Sequence, residues 1–230
     1  MATKDHGLFE QFLADYWESP VSREFFDHFG HRFETLFLAH HRGIVDEIGK
    51  ALDHHGVRTA RVVEVGVGDA KVLEYLGENL PQAKACHGID LNEAMVAENR
   101  RRFEGRDAYH FHVADVTEWI SKHPAAGTVL FTNGGVFEYF RRERLLDLFR
   151  GLKSGGGPAF VAITETIAVN HDLADDPASY PYGHELSFSH NHPAILREAG
   201  FEVLFTRDRF TKEGEEHHPA RWLQVVAVAS

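Results

Sequence analysis

Arg61-Val62-Val63-Glu64-Val65-Gly66-Val67-Gly68-Asp69-Ala70-Lys71-Val72-Leu73 is the stretch whose reading decides the fold. Its first half is an apolar, β-branched run, the pattern of a strand buried on both faces of a parallel sheet. Two glycines one residue apart follow, and Val72, Leu73 and Leu76 then fall on one helix face. A strand that turns through glycines into a helix brings bare backbone close to a ligand. It also points the first unpaired helix N–H groups at that ligand.

Spacing separates two cofactor classes that use such a turn. The dinucleotide fingerprint needs a glycine or alanine three positions after the second glycine, and that position here is Lys71. The acid at Glu64 ahead of Gly66 and Gly68 instead resembles the first motif of the class I S-adenosylmethionine (SAM) methyltransferases, acid-x-Gly-x-Gly-x-Gly, with Ala70 in the last glycine's place. Residues further along extend the likeness. Ala85-Cys86-His87-Gly88-Ile89-Asp90-Leu91 is a short strand ending in an acid, placed to accept hydrogen bonds from a ribose diol. Tyr109–Ala114 ends at Asp115-Val116, and Thr128–Thr132 ends at Asn133-Gly134-Gly135. In open α/β sheets ligands bind outside the carboxyl ends of the strands. The resemblance implies SAM as cofactor, held by Glu64, Gly66, Gly68, Asp90, Leu91, Asp115, Val116 and Asn133. It implies that Asp115 reads the adenine amino group, that Val116 packs on the ring, and that Asn133 meets the cofactor's ammonium group or the substrate.

Alternation of strand and helix from 61 to 165 predicts parallel βαβ units with right-handed crossovers. Two closing strands, Phe201–Thr206 and Arg221–Ala229, flank a hairpin loop expected at Lys212–Pro219. The fold class expected is therefore α/β, a doubly wound, mostly parallel seven-stranded sheet with an antiparallel last strand. Residues 1–57 read as an N-terminal helical cap or lid, and 58–230 as a Rossmann-like SAM-binding catalytic domain. Within the cap, the aromatic stripe of Phe25, Phe26, Phe29, Phe33 and Phe37 reads first as core, with Tyr16, Trp17 and Phe25 as lid members. Residues 166–190 break the rhythm and read as a long loop, functional or disordered.

At 230 residues the chain suits one larger domain, and 43% hydrophobic with 26% charged residues is ordinary for a soluble protein. A net charge of −11 argues against a nucleic-acid partner. The basic runs Arg100–Arg102 and Arg141–Arg144 read as solvated helix faces away from the strand ends. The single cysteine, Cys86, excludes an intrachain disulfide and reads as a buried, inert thiol. With no signal-like N-terminus and no run long enough to cross a membrane, the expected setting is cytoplasmic, with no membrane partner and room for a homodimer.

Methyl transfer from a sulfonium is an in-line SN2 displacement, for which the protein aligns a nucleophile and supplies a base where that nucleophile is protonated. Among 17 histidines, His190 is the leading base candidate, with His28 and His31 behind it. Tyr180 and Tyr182 are candidates to orient a substrate. Adjacent pairs such as His40-His41 do not share a helix face, and no metal is expected. The activity expected is methylation of an oxygen or nitrogen of a small molecule. Rival readings are attack at another carbon of SAM, by cyclisation to azetidine-2-carboxylate or aminocarboxypropyl transfer with release of methylthioadenosine, and SAM binding without catalysis. A nicotinamide dehydrogenase comes last.

Overall fold

The computed structural model describes Phe12, Asp15, Tyr16, Ser19 and residues 31–123, 125–183, 187–213 and 218–230. Among the described residues nine strands carry the architecture: β1 Ala60–Val65, β2 Ala83–Asp90, β3 Tyr109–Val113, β4 Thr128–Asn133, β5 Ala159–Ile167, β6 Ser179–Tyr182, β7 Ser187–His190, β8 Glu202–Glu213 and β9 His218–Ala229. Seven form one sheet in the order β3-β2-β1-β4-β5-β9-β8. The pairs from β3 to β5 are parallel, while β9 runs antiparallel to both β5 and β8. The sheet is thus seven-stranded, mostly parallel and closed by an antiparallel last strand, as expected.

Helices cover both faces because strand residues alternate sides. Val62, Val129, Phe131, Phe160 and Val226 face one core, with α1 Ile44–His54, α2 Lys71–Asn79 and α3 Glu93–Arg102 packed over it. Val63, Leu130, Val161, Ile163 and Val225 face the other, under α4 Val116–Ser121, α5 Arg142–Lys153 and α6 His192–Glu198. Ahead of α1, Phe33–His41 forms a π-helix whose Phe37 is fully buried in the first core. The lid candidates Trp17 and Phe25, and the base candidate His28, lie outside the described residues.

Three details depart from the expected outline. The stretch 166–190 is not all loop: β6 and β7 pair as a two-stranded antiparallel hairpin. Pro181 sits in that ladder, where proline is confined to edges, and a four-residue strand carries too little alternation to announce itself. The closing hairpin also runs further than expected, since Lys212 pairs with Pro219 and Glu213 with His218. Finally, Arg144 is not on a face remote from the strand ends. Its guanidinium forms an ion pair with Asp115, just past β3, and stacks 3.9 Å over the Phe140 ring. Cys86 is buried in β2, where loss of solvent pushes its thiol up to about 11.

Candidate active site at the strand tips

The loop between β1 and α2 is locked in an unusual backbone. Gly66 and Gly68 sit at φ +66° and +48°, the left-handed region that favours glycine, and Ala70 joins them at +56°. Gly66 and Val67 donate to the Ile89 carbonyl at 2.8 and 3.1 Å, which ties the loop to the tip of β2. A side chain at Gly66 would collide with Val136, whose Cγ2 would lie 2.6 Å from the added carbon.

Asp90 closes the arrangement. Its Oδ2 accepts from Gly68 N at 3.0 Å and its Oδ1 from Asn92 N at 2.9 Å. The Leu91 N–H also bonds to the carboxylate, which keeps lone-pair capacity for a further donor. Burial raises the Asp90 carboxyl above its ordinary range. Asn99 Nδ2 donates to the Gly68 carbonyl at 2.6 Å, a further brace for the loop.

Glu64 lies beneath the loop, 3% exposed. One side of its carboxylate faces the backbone N–H of Leu73 in the first turn of α2, while Oε2 is buried with no partner. Burial, reinforced by the charges of Asp69 and Asp90, raises its pKa well above the carboxylate range. An orphaned buried carboxylate oxygen next to glycine backbone fits a cationic group, because a positive charge there would offset both costs.

Asp115 is the N-cap of α4, its Oδ1 accepting from Thr117 N at 2.8 Å and Glu118 N at 3.2 Å, and its Oδ2 pairs with Arg144. Val116 beside it is buried in the second core, and Leu91 stays half-buried after β2. Glu64 pairs in register with Phe131, so Asn133, two residues on, stands level with Gly66. Asn133 Oδ1 lies 3.2 Å from His41 Nδ1.

Behind the loop after β4 stands Glu165, a residue the sequence reading passed over as the end of a strand. It is fully buried and accepts from Thr132 Oγ1 at 2.9 Å, from Val136 N at 3.0 and 3.1 Å and from Phe137 N at 3.2 Å. That clamp holds Val136 against Gly66, so an acid on β5 shapes the glycine loop on β1. Burial first, and then Glu138, push Glu165 up to about 8.

The catalytic candidates come out as follows. Tyr182 reaches this region: its hydroxyl lies 3.0 Å from Glu138 Oε2 and 2.7 Å from Thr166 Oγ1, and burial raises its pKa. His190 is fully buried, with Nδ1 2.7 Å from Ser179 Oγ and Nε2 3.0 Å from the Phe140 carbonyl. A carbonyl only accepts, so Nε2 carries the proton and Nδ1 accepts from the serine, which leaves neither nitrogen open to a substrate. Burial lowers its pKa to about 4. Tyr180 packs on His171, and His31 is exposed at the start of the described chain. Among the described residues no group of three or more His, Cys, Asp or Glu side chains is arranged to hold a metal ion.

The family model of a methyltransferase domain matches residues 62–156, from β1 into the turn after α5. No curated protein sequence matches the chain. Among solved structures, magnesium protoporphyrin IX methyltransferase (ChlM) from Synechocystis PCC 6803 with bound SAM is similar at 16% identity and TM-score 0.60, over 96% of this chain and 97% of that one. The 1,6-didemethyltoxoflavin-N1-methyltransferase of Burkholderia thailandensis, with bound 1,6-didemethyltoxoflavin and S-adenosylhomocysteine, is 15% identical with TM-score 0.61, over 100% and 91%. A SAM-dependent methyltransferase from Clostridium acetobutylicum ATCC 824 is 12% identical with TM-score 0.58, over 89% and 99%. With the seven-stranded order β3-β2-β1-β4-β5-β9-β8 beneath the matched domain, the chain carries a methyltransferase domain over residues 62–156 and has the fold of the class I SAM-dependent methyltransferases.

Proposed function

We propose that this protein binds SAM at the tips of β1, β2, β3 and β4 and transfers its methyl group to an oxygen or nitrogen of a small molecule. The observation that carries the reading is the cradle itself: left-handed Gly66 and Gly68, tied to Ile89 and Asp90 in turn, above an orphaned Glu64 oxygen. Glu64 would face the methionine ammonium group, Gly66 and Gly68 would let backbone approach the methionine part, and the lone-pair capacity left on Asp90 would take a ribose hydroxyl. Leu91, Asp115 and Val116 would border the adenine, with Asp115 offering whatever capacity its pairing with Arg144 leaves. Asn133 would border the methyl-bearing end. The bound sulfonium supplies an electrophilic methyl carbon with a good leaving group, and the chain supplies alignment and exclusion of water.

A small-molecule acceptor is supported by the net charge of −11 and by similarity of fold to enzymes named for magnesium protoporphyrin IX and 1,6-didemethyltoxoflavin. Residues ahead of α1 would form the cap over the acceptor. Calorimetry with S-adenosylhomocysteine tests the cofactor reading. Asp90→Asn keeps an oxygen for Gly68 N but removes the charge that strengthens the ribose bond, and should weaken binding on the order of 10- to 100-fold. Unchanged affinity would remove the cofactor from this site. Incubation with SAM should give no methylthioadenosine, whose appearance would replace methyl transfer with attack at another carbon.

A further inference from the structure

We propose that His41 is the general base of the reaction and that Asn133 is the positioning residue that turns it to that task. The inference rests on the SAM reading above and adds to it a proton acceptor from the π-helix.

His41 is 1% exposed, the last residue of the π-helix Phe33–His41. Its ring lies over a row of polar side chains on one face of the sheet. Asn133, Thr164 and Gln224 are cross-strand neighbours on β4, β5 and β9, so they share that face. Three contacts fix the imidazole. Nδ1 meets Asn133 Oδ1 at 3.2 Å, the His41 carbonyl accepts from Gln224 Nε2 at 3.0 Å, and the ring packs at 4.6 Å between centroids on Trp222. The amide oxygen accepts only, so the Nδ1 proton points at it and Nε2 is left as a bare lone pair. That nitrogen is buried and has no partner, and so are Trp222 Nε1 and Gln224 Oε1 beside it.

His40, His55 and His192 also carry a buried ring nitrogen without a partner, but of these four only His41 joins that orphan to a tautomer fixed by Asn133 and to the unmet Trp222 and Gln224 atoms. An unmet buried acceptor costs about 1–3 kcal/mol, and here a second buried acceptor and a buried donor lie unmet within the same layer. Such a set is satisfied by a ligand that brings its own O–H or N–H. Its place in the fold is right for the acceptor, since Asn133 stands level with Gly66 of the cofactor loop. His40, the preceding residue, also has a buried nitrogen without a partner, Nδ1, but lacks the Asn133 contact that fixes the tautomer of His41.

The proton step then balances as follows. The attacking oxygen or nitrogen forms its bond to the methyl carbon while the carbon–sulfur bond breaks and its electron pair stays on sulfur. The nucleophile's proton passes to Nε2, giving an imidazolium whose Nδ1–H stays on Asn133 Oδ1, and water later removes it. The X–H proton becomes strongly acidic as the new bond forms, so a weakly basic imidazole suffices. Burial does keep His41 weakly basic, lowering its pKa to about 4, with Arg32, Arg209 and His40 the charged or titratable neighbours that act in the same direction.

The primary test needs no acceptor. In protein labelled with 15N-histidine and saturated with S-adenosylhomocysteine, long-range 1H–15N correlation should show His41 neutral, protonated at Nδ1 and bare at Nε2 at neutral pH. Asn133→Ala should shift that signal toward a mixture of tautomers, which a merely packed ring would not do. A His41 protonated at Nε2 overturns the proposal. The second test is His41→Gln, which should bind S-adenosylhomocysteine within about threefold of the parent. With labelled SAM and matched acceptors at about pH 8, it should lose about 10²- to 10³-fold with phenol and less than about tenfold with 4-nitrophenol, which is largely ionised at that pH. Equal losses on both acceptors overturn the base assignment, as does loss of S-adenosylhomocysteine binding in His41→Gln alone. Failure of the parent to bind that compound sinks the SAM reading instead, so the two are told apart.

Discussion

Glu165→Gln separates the cost of burying a carboxylate from the benefit of its hydrogen bonds. Glutamine is the isostere of the protonated acid and keeps an oxygen for Thr132 Oγ1, Val136 N and Phe137 N. With Glu165 raised from 4.5 to about 8, the native state holds a proton that the unfolded chain releases across that window. Stability therefore falls as pH rises from about 4.5 to about 8, at roughly 1.4 kcal/mol per pH unit, and is fully present below the lower value. The variant lacks this slope. Near pH 6 the two proteins should differ by ~1 kcal/mol or less, and between pH 6 and 8 the variant should gain ~2.5 kcal/mol on the parent. With a urea slope of about 2.5 kcal/mol/M, the gap between their midpoints should open by ~1 M. Urea melts of both proteins at the two pH values decide it, because every other titrating group cancels in the comparison. A gap that stays constant with pH would show that Glu165 is ionised in the native state. Glu165→Ala makes the contrast: it strands two backbone N–H groups and a hydroxyl, and should cost roughly 3–5 kcal/mol at any pH.

Gly66→Ala should destabilise by about 2–4 kcal/mol, from the left-handed φ and the collision with Val136, and should weaken S-adenosylhomocysteine binding. Adding Val136→Ala should recover 1–2 kcal/mol of that in a double-mutant cycle, by the usual size of coupling between touching residues; strict additivity would mean the side chains do not meet. His190 is buried neutral with its pKa lowered to about 4, so the parent loses stability as pH falls from 6.5 toward 4. His190→Gln should flatten that acid limb by about 1.4 kcal/mol per pH unit and leave S-adenosylhomocysteine affinity within about threefold; an unaltered acid limb would place the proton elsewhere. Asp115→Ala should cost about 1 kcal/mol in a denaturant melt through loss of the α4 cap, and Asp115→Ser should restore most of it; equal losses would mean the cap contributes nothing.

What was legible in the sequence is what is local to it. The strand-glycine-helix turn and the acids after β2 and β3 are short-range patterns, and the sheet order follows once each strand is paired with the next helix. The polar partners of the site are not local. Asn133 meets His41 across 92 residues of chain, and Gln224 meets His41 across 183. No spacing rule reports such contacts, because the packing of the π-helix on the tip of β4 creates the first and the antiparallel return of β9 the second. The π-helix also misleads a 3.6-residue reading: Phe33 and Phe37 suggest an ordinary amphipathic turn, but wider winding changes which later residue faces the sheet. Glu165 carried one usable signal, an acid in a strand otherwise apolar from Ala159 to Ile163. An ionisable residue where both faces are buried has to be bonded to something, and in this fold what lies beside the tip of β5 is the loop after β4.

Where buried polar groups are left unmet near the strand tips is an argument about function. On the α4–α6 face Glu165 receives three donors, and the clamp it makes is scaffold. On the π-helix face Glu64 Oε2, His41 Nε2, Trp222 Nε1 and Gln224 Oε1 are buried without partners. A single orphan means little, for His40 Nδ1, His55 Nε2, Gln82 Oε1, Thr117 Oγ1, Trp119 Nε1 and His192 Nδ1 are also unmet. Four on one face at the carboxyl end of the parallel strands are another matter. At 1–3 kcal/mol each they would take up much of the stability of an ordinary domain. A fold that tolerates them recovers the cost when something binds. S-adenosylhomocysteine should then satisfy Glu64 and leave the His41 layer unmet, so it should raise the melting temperature while an acceptor added with it raises it further. A ternary mixture that melts no higher than the binary complex, with every acceptor tried, would mean the His41 layer is scaffold after all.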